Sequence, residues 1–339
     1  MTKRDFLSME AWGRDGVERL LAEAARLKQA GTRGGLEGKV CALVFMDPSL
    51  RTRASMETAM FLHGGHAVIL EPGKTSWTLE TRPGVVMDGG TTEHIIEAAR
   101  VLGRYADAVG IRVFPRGDQW AEARLDPILH DFARYCEKPV INLESTRRHP
   151  CQGLADALTL REHLGDTKGK RCVVQWTWHP KQLPTAVPAS GAIAAAMMGM
   201  EVVIARPEGW ALDPDDTATI RALCAEHGQQ LIETDDPAAA LDGADAVYVK
   251  AWGSVGLFGR PEEEAKAKAH LRDWRYTPAW QARTRGGAAK VLHCLPVRRN
   301  VEIDDAVLDG PHAVVIDEAE NRLHVQRALL LDLIGGRTA

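Results

Sequence analysis

The sequence lacks long hydrophobic runs and any excess of basic charge. None of the apolar stretches in its 339 residues approaches the roughly 20 residues that a membrane-spanning helix needs. The net charge is −4 and acidic and basic residues are mixed along the chain, so no basic arm indicates a nucleic-acid partner. The opening stretch, MTKRDFLSMEAW, has no apolar signal core. We therefore expect a cytoplasmic protein that binds neither membrane nor nucleic acid.

Cysteine is sparse and shows no paired spacing. None of the six cysteines belongs to a Cys-x-x-Cys motif, and three lie in or beside apolar runs. Buried free thiols in a reducing compartment are therefore predicted, rather than disulfide bonds or a zinc site, and no metal is expected. The six cysteines are Cys41, Cys136, Cys151, Cys172, Cys224 and Cys294.

Two glycine-rich fingerprints are also missing. No G-x-G-x-x-G follows a predicted strand, which disfavours a nucleotide-dependent oxidoreductase. No G-x-x-x-x-G-K-[ST] loop is present, which disfavours a P-loop nucleotide site. The glycines of GTRGGLEGK, residues 31–39, precede their strand instead of following it. We expect no organic cofactor.

The chain does contain a regular alternation of short apolar runs and helical patterns. Its length predicts two domains, each with a core of its own. Strands that are apolar throughout and separated by helices predict parallel sheets covered on both faces, and so an α/β fold in which each domain is a mostly parallel sheet flanked by helices. The predicted strands are 40–45, 66–70, 107–114, 138–143, 172–178, 200–206, 229–234, 244–252, 289–296 and 312–317. The predicted helices include one that starts with a capping box at 15–18 and others at 93–105, 189–199, 216–228 and 320–336.

We predict that residues 1–148 form the first domain and residues 149–321 the second, with a hinge near 144–152. A C-terminal helix over 322–339 is expected to pack back on the first domain.

Polar side chains follow the first strand where it gives way to a helix. Ser49, Arg51, Thr52 and Arg53 lie at this point. Ligands gather beyond the carboxyl ends of parallel strands, and helix N-terminal N–H groups with hydroxyls and guanidiniums make a phosphate site. The alternative is a capped helix that carries surface arginines.

Other candidate residues also fall at strand ends. Arg112 ends one predicted strand, HPCQ at 149–152 follows another, and HCLP at 293–296 ends a third. Each has a structural interpretation of its own: a surface ion pair, a structural histidine, a buried thiol. Trp77 lies in a polar, Gly- and Pro-containing loop, which predicts exposure or contact with another subunit. The carboxylates at 302–305 fit a solvated acidic face better than a metal cluster.

Taken together and in this order, SLRTR, Arg112, HPCQ and HCLP resemble the aspartate/ornithine carbamoyltransferase family over nearly the whole chain. The resemblance implies that carbamoyl phosphate is the anion, that the active site lies in the cleft between the two domains, and that the enzyme is a homotrimer. It also implies a carbamoyl-phosphate-binding domain followed by an acylornithine-binding domain.

Several stretches resemble the N-acylornithine branch of that family. These are WTLETRPGVVMDG, VKAWGS, HCLPVRRN and DEAENRLHVQ. Ornithine enzymes carry an Asp and a Ser-Met-Gly loop for the free α-amine, whereas this chain has Lys250 in YVKAWGS. A blocked α-amine is neutral and needs no carboxylate partner. The resemblance therefore implies carbamoyl transfer to the δ-amine of N-acetylornithine, giving N-acetylcitrulline and phosphate in arginine biosynthesis.

The matching motifs imply roles for individual residues. Arg112 and His149 would contact the carbonyl oxygen and, with Thr52, form the catalytic set, while Gln152 would hold the carbamoyl nitrogen. Trp77 would reach in from a neighbouring subunit. The residues assigned to carbamoyl phosphate are Ser49, Leu50, Arg51, Thr52, Trp77, Arg112, His149, Gln152, Cys294, Leu295 and Arg322.

The acylornithine would be bound by Glu144, Lys250 and Leu295. Its δ-amine attacks the carbamoyl carbon, an oxyanion develops, and phosphate leaves and accepts a proton. Donors fixed at such an oxyanion are worth on the order of 3 kcal/mol each. No protein base is assigned.

Two positions depart from the acetyl-type pattern. Thr92 stands where acetyl-specific relatives typically have glutamate and succinyl-specific ones proline, so it favours N-succinylornithine or tolerance of both acceptors. Glu302 stands where some relatives have a lysine that can be carboxylated, and we expect it to be a structural carboxylate that pairs with Arg298 or Arg299 and holds the HCLP loop. The overall pattern favours the acetyl substrate. The alternatives are an N-succinylornithine enzyme and a non-catalytic two-domain ligand-binding protein.

Overall fold

The computed structural model describes residues 3–335 and divides them into two compact units. The first contains the described residues up to Arg116, then Glu122–Cys151, and the described part of the segment that begins at Arg322. The second contains Gly117–Ala121 and Gln152–Asn321. The predicted domains differ from these units in assigning 149–151 to the second domain and 117–121 to the first. As functional domains they stay a prediction.

The first unit is built on a four-stranded parallel sheet. Its order is β2-β1-β5-β6, and a second, two-stranded parallel pair joins β3 to β4. The strands are β1 (Val40–Phe45), β2 (His66–Leu70), β3 (Leu79–Glu80), β4 (Glu93–His94), β5 (Ala108–Arg112) and β6 (Val140–Glu144). The helices from the N-terminus to the one that follows β6 are α1 (Gly13–Ala30), α2 (Leu50–Leu62), α3 (Ile95–Tyr105), α4 (Trp120–Ala123), α5 (Pro127–Tyr135) and α6 (Pro150–Leu164).

The second unit is built on a five-stranded parallel sheet of order β11-β10-β7-β8-β9. The strands are β7 (Arg171–Trp176), β8 (Glu201–Ala205), β9 (Leu231–Thr234), β10 (Ala246–Lys250) and β11 (Lys290–Leu292). The helices are α7 (Ala186–Met197), α8 (Pro214–Glu226), α9 (Pro237–Leu241), α10 (Pro261–Ala267), α11 (Pro278–Gln281), α12 (Asp305–Leu308) and α13 (Val315–Ile334).

The strands form where the sequence is apolar on successive residues. Every residue of β5, β6 and β10 is buried, as expected of parallel strands covered on both faces by helices. The predicted α/β class with parallel sheets flanked by helices is confirmed. Because all strands in a sheet run parallel, their carboxyl ends meet at one edge, which places Arg112 and Glu144 side by side at the ends of β5 and β6.

Three predicted elements need correction. The strand at 312–317 is wrong: Ala313 makes only an isolated bridge to Val291, and α13 already begins at Val315. Helix α13 also starts five residues before the predicted 320, and residue 336 lies outside the described residues. The capping box is wrong as well, because α1 begins at Gly13 and Asp15 lies inside its first turn.

Three helices contain a boundary between the units. The boundaries fall between Ala121 and Glu122 in α4, between Cys151 and Gln152 in α6, and between Asn321 and Arg322 in α13. Among residues 3–335, no helix is both long and apolar enough to cross a membrane.

Candidate active site

The N-terminus of α2 brings together the first set of predicted residues. Ser49 is the N-cap, and its side chain accepts a hydrogen bond from the backbone N–H of Thr52 at 3.2 Å. The hydroxyl of Thr52 is buried and accepts from Nη2 of Arg322 at 3.1 Å. Leu50 is 80% exposed. The helix cap and an anion site are therefore compatible, because the guanidinium of Arg322, from α13, lies beside the first turn of the capped helix.

A buried charged cluster continues from Arg322 within the first unit. Nη1 of Arg322 lies 3.3 Å from Nε2 of His149, and Nε2 of His149 lies 3.5 Å from Oε2 of Glu144. Glu144 in turn accepts a hydrogen bond from Nη1 of Arg112. All four side chains are less than one-tenth exposed. The structure thus brings together five of the predicted site residues, with Thr52 included.

The electrostatics of this cluster favour a neutral histidine. Burial lowers the pKa of His149 well below its usual value, and the positive charges of Arg322 and Arg112 lower it further. His149 is therefore neutral at physiological pH. The positive charges of this cluster come from Arg322 and Arg112, and Glu144, which is paired with Arg112, supplies one negative charge.

Trp77 and Thr92 lie on the small β3–β4 segment. Trp77 is 56% exposed, and its Nε1 donates to Oε2 of Glu93 at 2.6 Å. Thr92 is exposed, and its backbone N–H donates to the carbonyl of Thr78 at 3.4 Å. The two residues that the sequence singled out for different reasons are therefore neighbours across one parallel strand pair.

The second unit holds Gln152 and the HCLP segment. Nε2 of Gln152 donates to Oδ1 of Asp156 at 2.8 Å and to Oε1 of Glu318 at 2.9 Å. The backbone N–H of His293 donates to Oε2 of Glu318 at 2.8 Å. Leu295 has a φ of 56°, a conformation that leucine rarely adopts, and its N–H donates to Nδ1 of His293 at 2.9 Å.

Glu302 holds this segment, although not through the arginine side chains that the sequence predicted. Its Oε1 lies 3.3 Å from Nε2 of His293, and its Oε2 accepts from the backbone N–H of Arg298 at 2.8 Å. The predicted pairing with an arginine side chain is wrong. The guanidinium of Arg298 donates to His179, and that of Arg299 binds two aspartates, at 305 and 309.

The charge of Glu302 is strongly stabilised. Burial raises the pKa of this carboxyl group, but the hydrogen bonds from His293 and from the backbone N–H of Arg298, together with the charge of Lys250, outweigh burial and bring the pKa to about 2. Lys250 is buried at the end of β10. The charge of Lys250 thus acts on Glu302, although the sequence implied separate roles for these two residues.

Sequence reasoning missed three residues of these clusters. They are Asp156, His179 and Glu318, and all are buried. Asp156 lies one helical turn after Gln152 in α6, a spacing that predicts contact on one helix face. Nothing in the local sequence marks His179, and Glu318 lies in the DEAENRLHVQ stretch, whose resemblance to the family gave this residue no role. Within residues 3–335 there is no group of three or more His, Cys, Asp or Glu side chains arranged to hold a metal ion.

The chain matches two family models that follow one another along its length. The model described as "Aspartate/ornithine carbamoyltransferase, carbamoyl-P binding domain" matches residues 4–162. The model described as "Aspartate/ornithine carbamoyltransferase, Asp/Orn binding domain" matches residues 184–333.

Relatives and solved structures are similar over the full length. An N-acetylornithine carbamoyltransferase of Xanthomonas campestris pv. campestris is 45% identical over 338 residues, which is 99% of each chain. A crystal structure of acetylornithine transcarbamylase complexed with acetylcitrulline has a TM-score of 0.94 and 44% identity, and the match covers 98% of this chain and 100% of that chain. A variant of N-acetyl-L-ornithine transcarbamylase with one glutamate replaced by proline was solved with carbamyl phosphate and N-succinyl-L-norvaline (TM-score 0.94, 45% identity, 97% of this chain and 99% of that chain). The chain belongs to the aspartate/ornithine carbamoyltransferase family.

Proposed function

We propose that the protein transfers the carbamoyl group of carbamoyl phosphate to the δ-amine of N-acetylornithine, giving N-acetylcitrulline and phosphate. The observation that carries this proposal is the buried cluster in which Arg112 and Arg322 flank a neutral His149, next to the capped N-terminus of α2. The similarity to an N-acetylornithine carbamoyltransferase over 99% of both chains supports the choice of acceptor. The reaction belongs to arginine biosynthesis, in the cytoplasm.

The anion site would work by charge and by preorganised donors. Backbone N–H groups at the start of α2, the hydroxyls of Ser49 and Thr52, and the guanidinium of Arg322 bind the phosphate. Leu50 and Arg51 contribute through the same helical turn. As the δ-amine attacks, negative charge develops on the carbonyl oxygen, and the guanidinium of Arg112 stabilises it. Donors of this kind contribute about 3 kcal/mol each.

His149 is a hydrogen-bonding partner in this scheme, not an acid. A neutral imidazole among two arginines does not add a third positive charge, and it orients the carbonyl group by a hydrogen bond. The leaving phosphate accepts the proton that the amine loses.

The second unit would hold the rest of the substrates. The amide of Gln152 and the backbone carbonyls of Cys294 and Leu295 would hold the carbamoyl nitrogen, and Lys250 and Leu295 would bind the acylornithine. Glu144, which lies in the first unit, is assigned to the acylornithine as well. Glu144 is ion-paired with Arg112, so its carboxylate is already fixed in direction before an acceptor binds.

In this proposal, Thr92 on the β3–β4 segment determines which acyl group the acceptor carries. A glutamate at position 92 would repel a succinyl carboxylate, and Thr92 removes that repulsion. Replacement of a glutamate in the solved variant accompanies a bound N-succinyl analogue, which makes N-succinylornithine the second candidate acceptor.

We also propose a homotrimer in which Trp77 reaches the site of a neighbouring subunit. Trp77, Val86 and Met87 are large apolar side chains on one loop region, and all three are exposed in the single chain. Contact with a second copy would remove this apolar surface from water.

The experiment that tests the function measures citrulline-type product from carbamoyl phosphate with ornithine, N-acetylornithine and N-succinylornithine in parallel. We expect turnover of N-acetylornithine and none of ornithine. The Thr92→Glu variant is assayed beside it and should lose any activity with the succinyl acceptor while keeping the acetyl one. A protein that binds carbamoyl phosphate but turns over none of the three would instead be the non-catalytic binding protein.

A further inference from the structure

Two carboxyl groups lie fully buried next to the side chain that would hold the carbamoyl nitrogen. Asp156 and Glu318 are 0% exposed, and both accept a hydrogen bond from the same atom, Nε2 of Gln152. They come from different helices, Asp156 from α6 and Glu318 from α13. The proposed function uses Gln152 but assigns no role to either carboxyl group.

The two hydrogen bonds determine the positions of the oxygen and the nitrogen of the Gln152 amide. A primary amide has two N–H donors, and here each has a carboxyl oxygen as its acceptor. The reversed orientation would place the amide oxygen against two other oxygens. Oε1 is therefore the end that can accept from a ligand, and the NH2 of a carbamoyl group is a donor.

Glu318 also fixes the backbone of the HCLP segment. Its Oε2 accepts from the N–H of His293, while its Oε1 accepts from Gln152. Nδ1 of His293 in turn accepts from the N–H of Leu295. A single carboxyl group thus connects the amide of Gln152 with the segment whose carbonyl groups would meet the same carbamoyl nitrogen.

The surroundings do not favour two negative charges at once. Two carboxylates that share one donor in a buried site repel each other, so the protonated form of one of them is stabilised. Burial raises the pKa of Glu318 well above its usual range, and the charge and hydrogen bond of Asp156 raise it further. The titratable groups that face the pair are Tyr248 from β10, Cys172 from β7, and His293 and Cys294 after β11.

We propose that Asp156 and Glu318 share one proton at neutral pH and act as a pair of positioning residues that orient Gln152 and the HCLP segment toward the carbamoyl nitrogen. The positioning role rests on the proposed function. The shared proton does not, since it is a property of the protein without substrate.

The first experiment measures the shared proton in the protein alone. A carboxyl group whose folded pKa is raised stabilises the fold at low pH, and that contribution is lost as pH rises from the unfolded value, about 4.3, toward the folded pKa. We therefore expect Glu318→Gln to gain stability relative to the unmodified protein as pH rises from 5 to 8, by up to tenfold in the unfolding equilibrium constant per pH unit. Urea denaturation at several pH values gives this ratio.

Glu264→Gln is the matched control. Glu264 is equally buried in the same unit, but it is ion-paired with Lys268 at 2.7 Å. Its removal should not give a gain that grows with pH. A Glu318→Gln ratio that stays flat between pH 5 and 8 overturns the shared proton.

The second experiment tests positioning by steady-state kinetics. Both oxygens of Glu318 accept hydrogen bonds, so glutamine, with one acceptor oxygen, keeps one of the two and leucine keeps neither. Glu318→Leu should therefore raise the KM for carbamoyl phosphate more than about tenfold, and Glu318→Gln should raise it less. The KM for the acceptor should change little. Equal kinetics for both variants and the unmodified protein would overturn the positioning role.

Failure of the proposed function is seen separately. If the unmodified protein turns over no acceptor, the affinity for carbamoyl phosphate is measured by calorimetry with the same variants. A tenfold loss of affinity in Glu318→Leu alone then supports the positioning role, and unchanged affinity overturns it.

Discussion

At the scale of single residues, two equally buried titratable groups favour opposite charge states. His149 is buried among two arginines, so its neutral form is favoured. Glu302 is equally buried, but His293, Lys250 and the N–H of Arg298 stabilise its charged form. The sign of the pKa shift is therefore decided by the partners and not by burial alone.

Glu302 gives a prediction of acid sensitivity. Its folded pKa of about 2 lies below the unfolded value, so the carboxylate stabilises the fold above about pH 4.3 and this contribution is lost as pH falls toward 2. We expect Glu302→Gln to lose roughly 3 kcal/mol of unfolding free energy at pH 7 and about half of that at pH 3. Urea denaturation at both pH values checks this.

Asp305→Asn is the control for this measurement. Asp305 is an exposed carboxylate that also binds an arginine, Arg299, and exposed pairs contribute little. If Glu302→Gln loses as much stability at pH 3 as at pH 7, the charge of Glu302 does not contribute to stability as stated.

At the scale of secondary-structure elements, α7 shows how small residues allow close packing. All twelve of its residues are buried, and most are alanine, glycine or serine. A Cβ atom on Gly191 would lie 3.3 Å from the ring of Tyr248, the tyrosine that faces the shared carboxyl pair. The helix therefore packs directly against β10 with no room to spare.

Gly191 gives a prediction about packing. Alanine is worth about 0.5–1 kcal/mol more than glycine in a helix interior, which should roughly cancel the tight contact with Tyr248 in Gly191→Ala. Gly191→Val adds two methyl groups to a site that is already tightly packed, and we expect the free energy of unfolding to fall by about 1–3 kcal/mol. Chemical denaturation of both variants measures the difference, and a valine variant as stable as the alanine one would contradict the packing argument.

The elements also show what the sequence can and cannot predict. Continuous apolar runs predicted β1 and β2 with the bounds that the structure has. The run at 312–317 was misassigned because a short apolar segment fits a strand or the start of a buried helix equally well. In the candidate site, the motif around Thr52 could be recognised from the sequence because its residues are consecutive.

Contacts between distant parts of the chain were not predictable in this way. Arg322 and Thr52 are 270 residues apart and were assigned to one site only through the family resemblance, while the contact of Glu318 with Gln152, 166 residues away, was not predicted. Glu302 was assigned the arginines nearest in sequence, whereas the fold turns their guanidiniums to other partners. Sequence proximity is a poor guide to pairing once side chains point in fixed directions.

At the scale of the whole molecule, the candidate residues are divided between two compact units. His149 and Gln152 lie on either side of the unit boundary at α6, and Glu318 and Arg322 lie on either side of the boundary at α13. Helices α6 and α13 therefore each contribute candidate site residues to both units.

The proposed trimer gives a prediction by subunit mixing. We expect Trp77→Ala and Arg112→Ala each to lower activity more than about a hundredfold as pure assemblies. Mixed assemblies that contain both variants should regain activity, because some sites then combine an intact Trp77 from one subunit with an intact Arg112 from another. Activity is measured after mixing, unfolding and refolding together, with each variant refolded alone as the control. No regain in mixed assemblies of confirmed trimeric mass would contradict a shared site.

The six cysteines give the protein a built-in chemical probe. Five are buried, and burial raises the pKa of Cys41 and Cys172 to about 12 and that of Cys151 to about 11, so little thiolate forms at neutral pH. Cys294 is the half-buried one, on the segment whose carbonyl groups would meet the carbamoyl nitrogen. A mild alkylating reagent should therefore label Cys294 first. Its rate of labelling, read by mass spectrometry, would report occupancy of the site by any ligand before an acceptor for turnover is known.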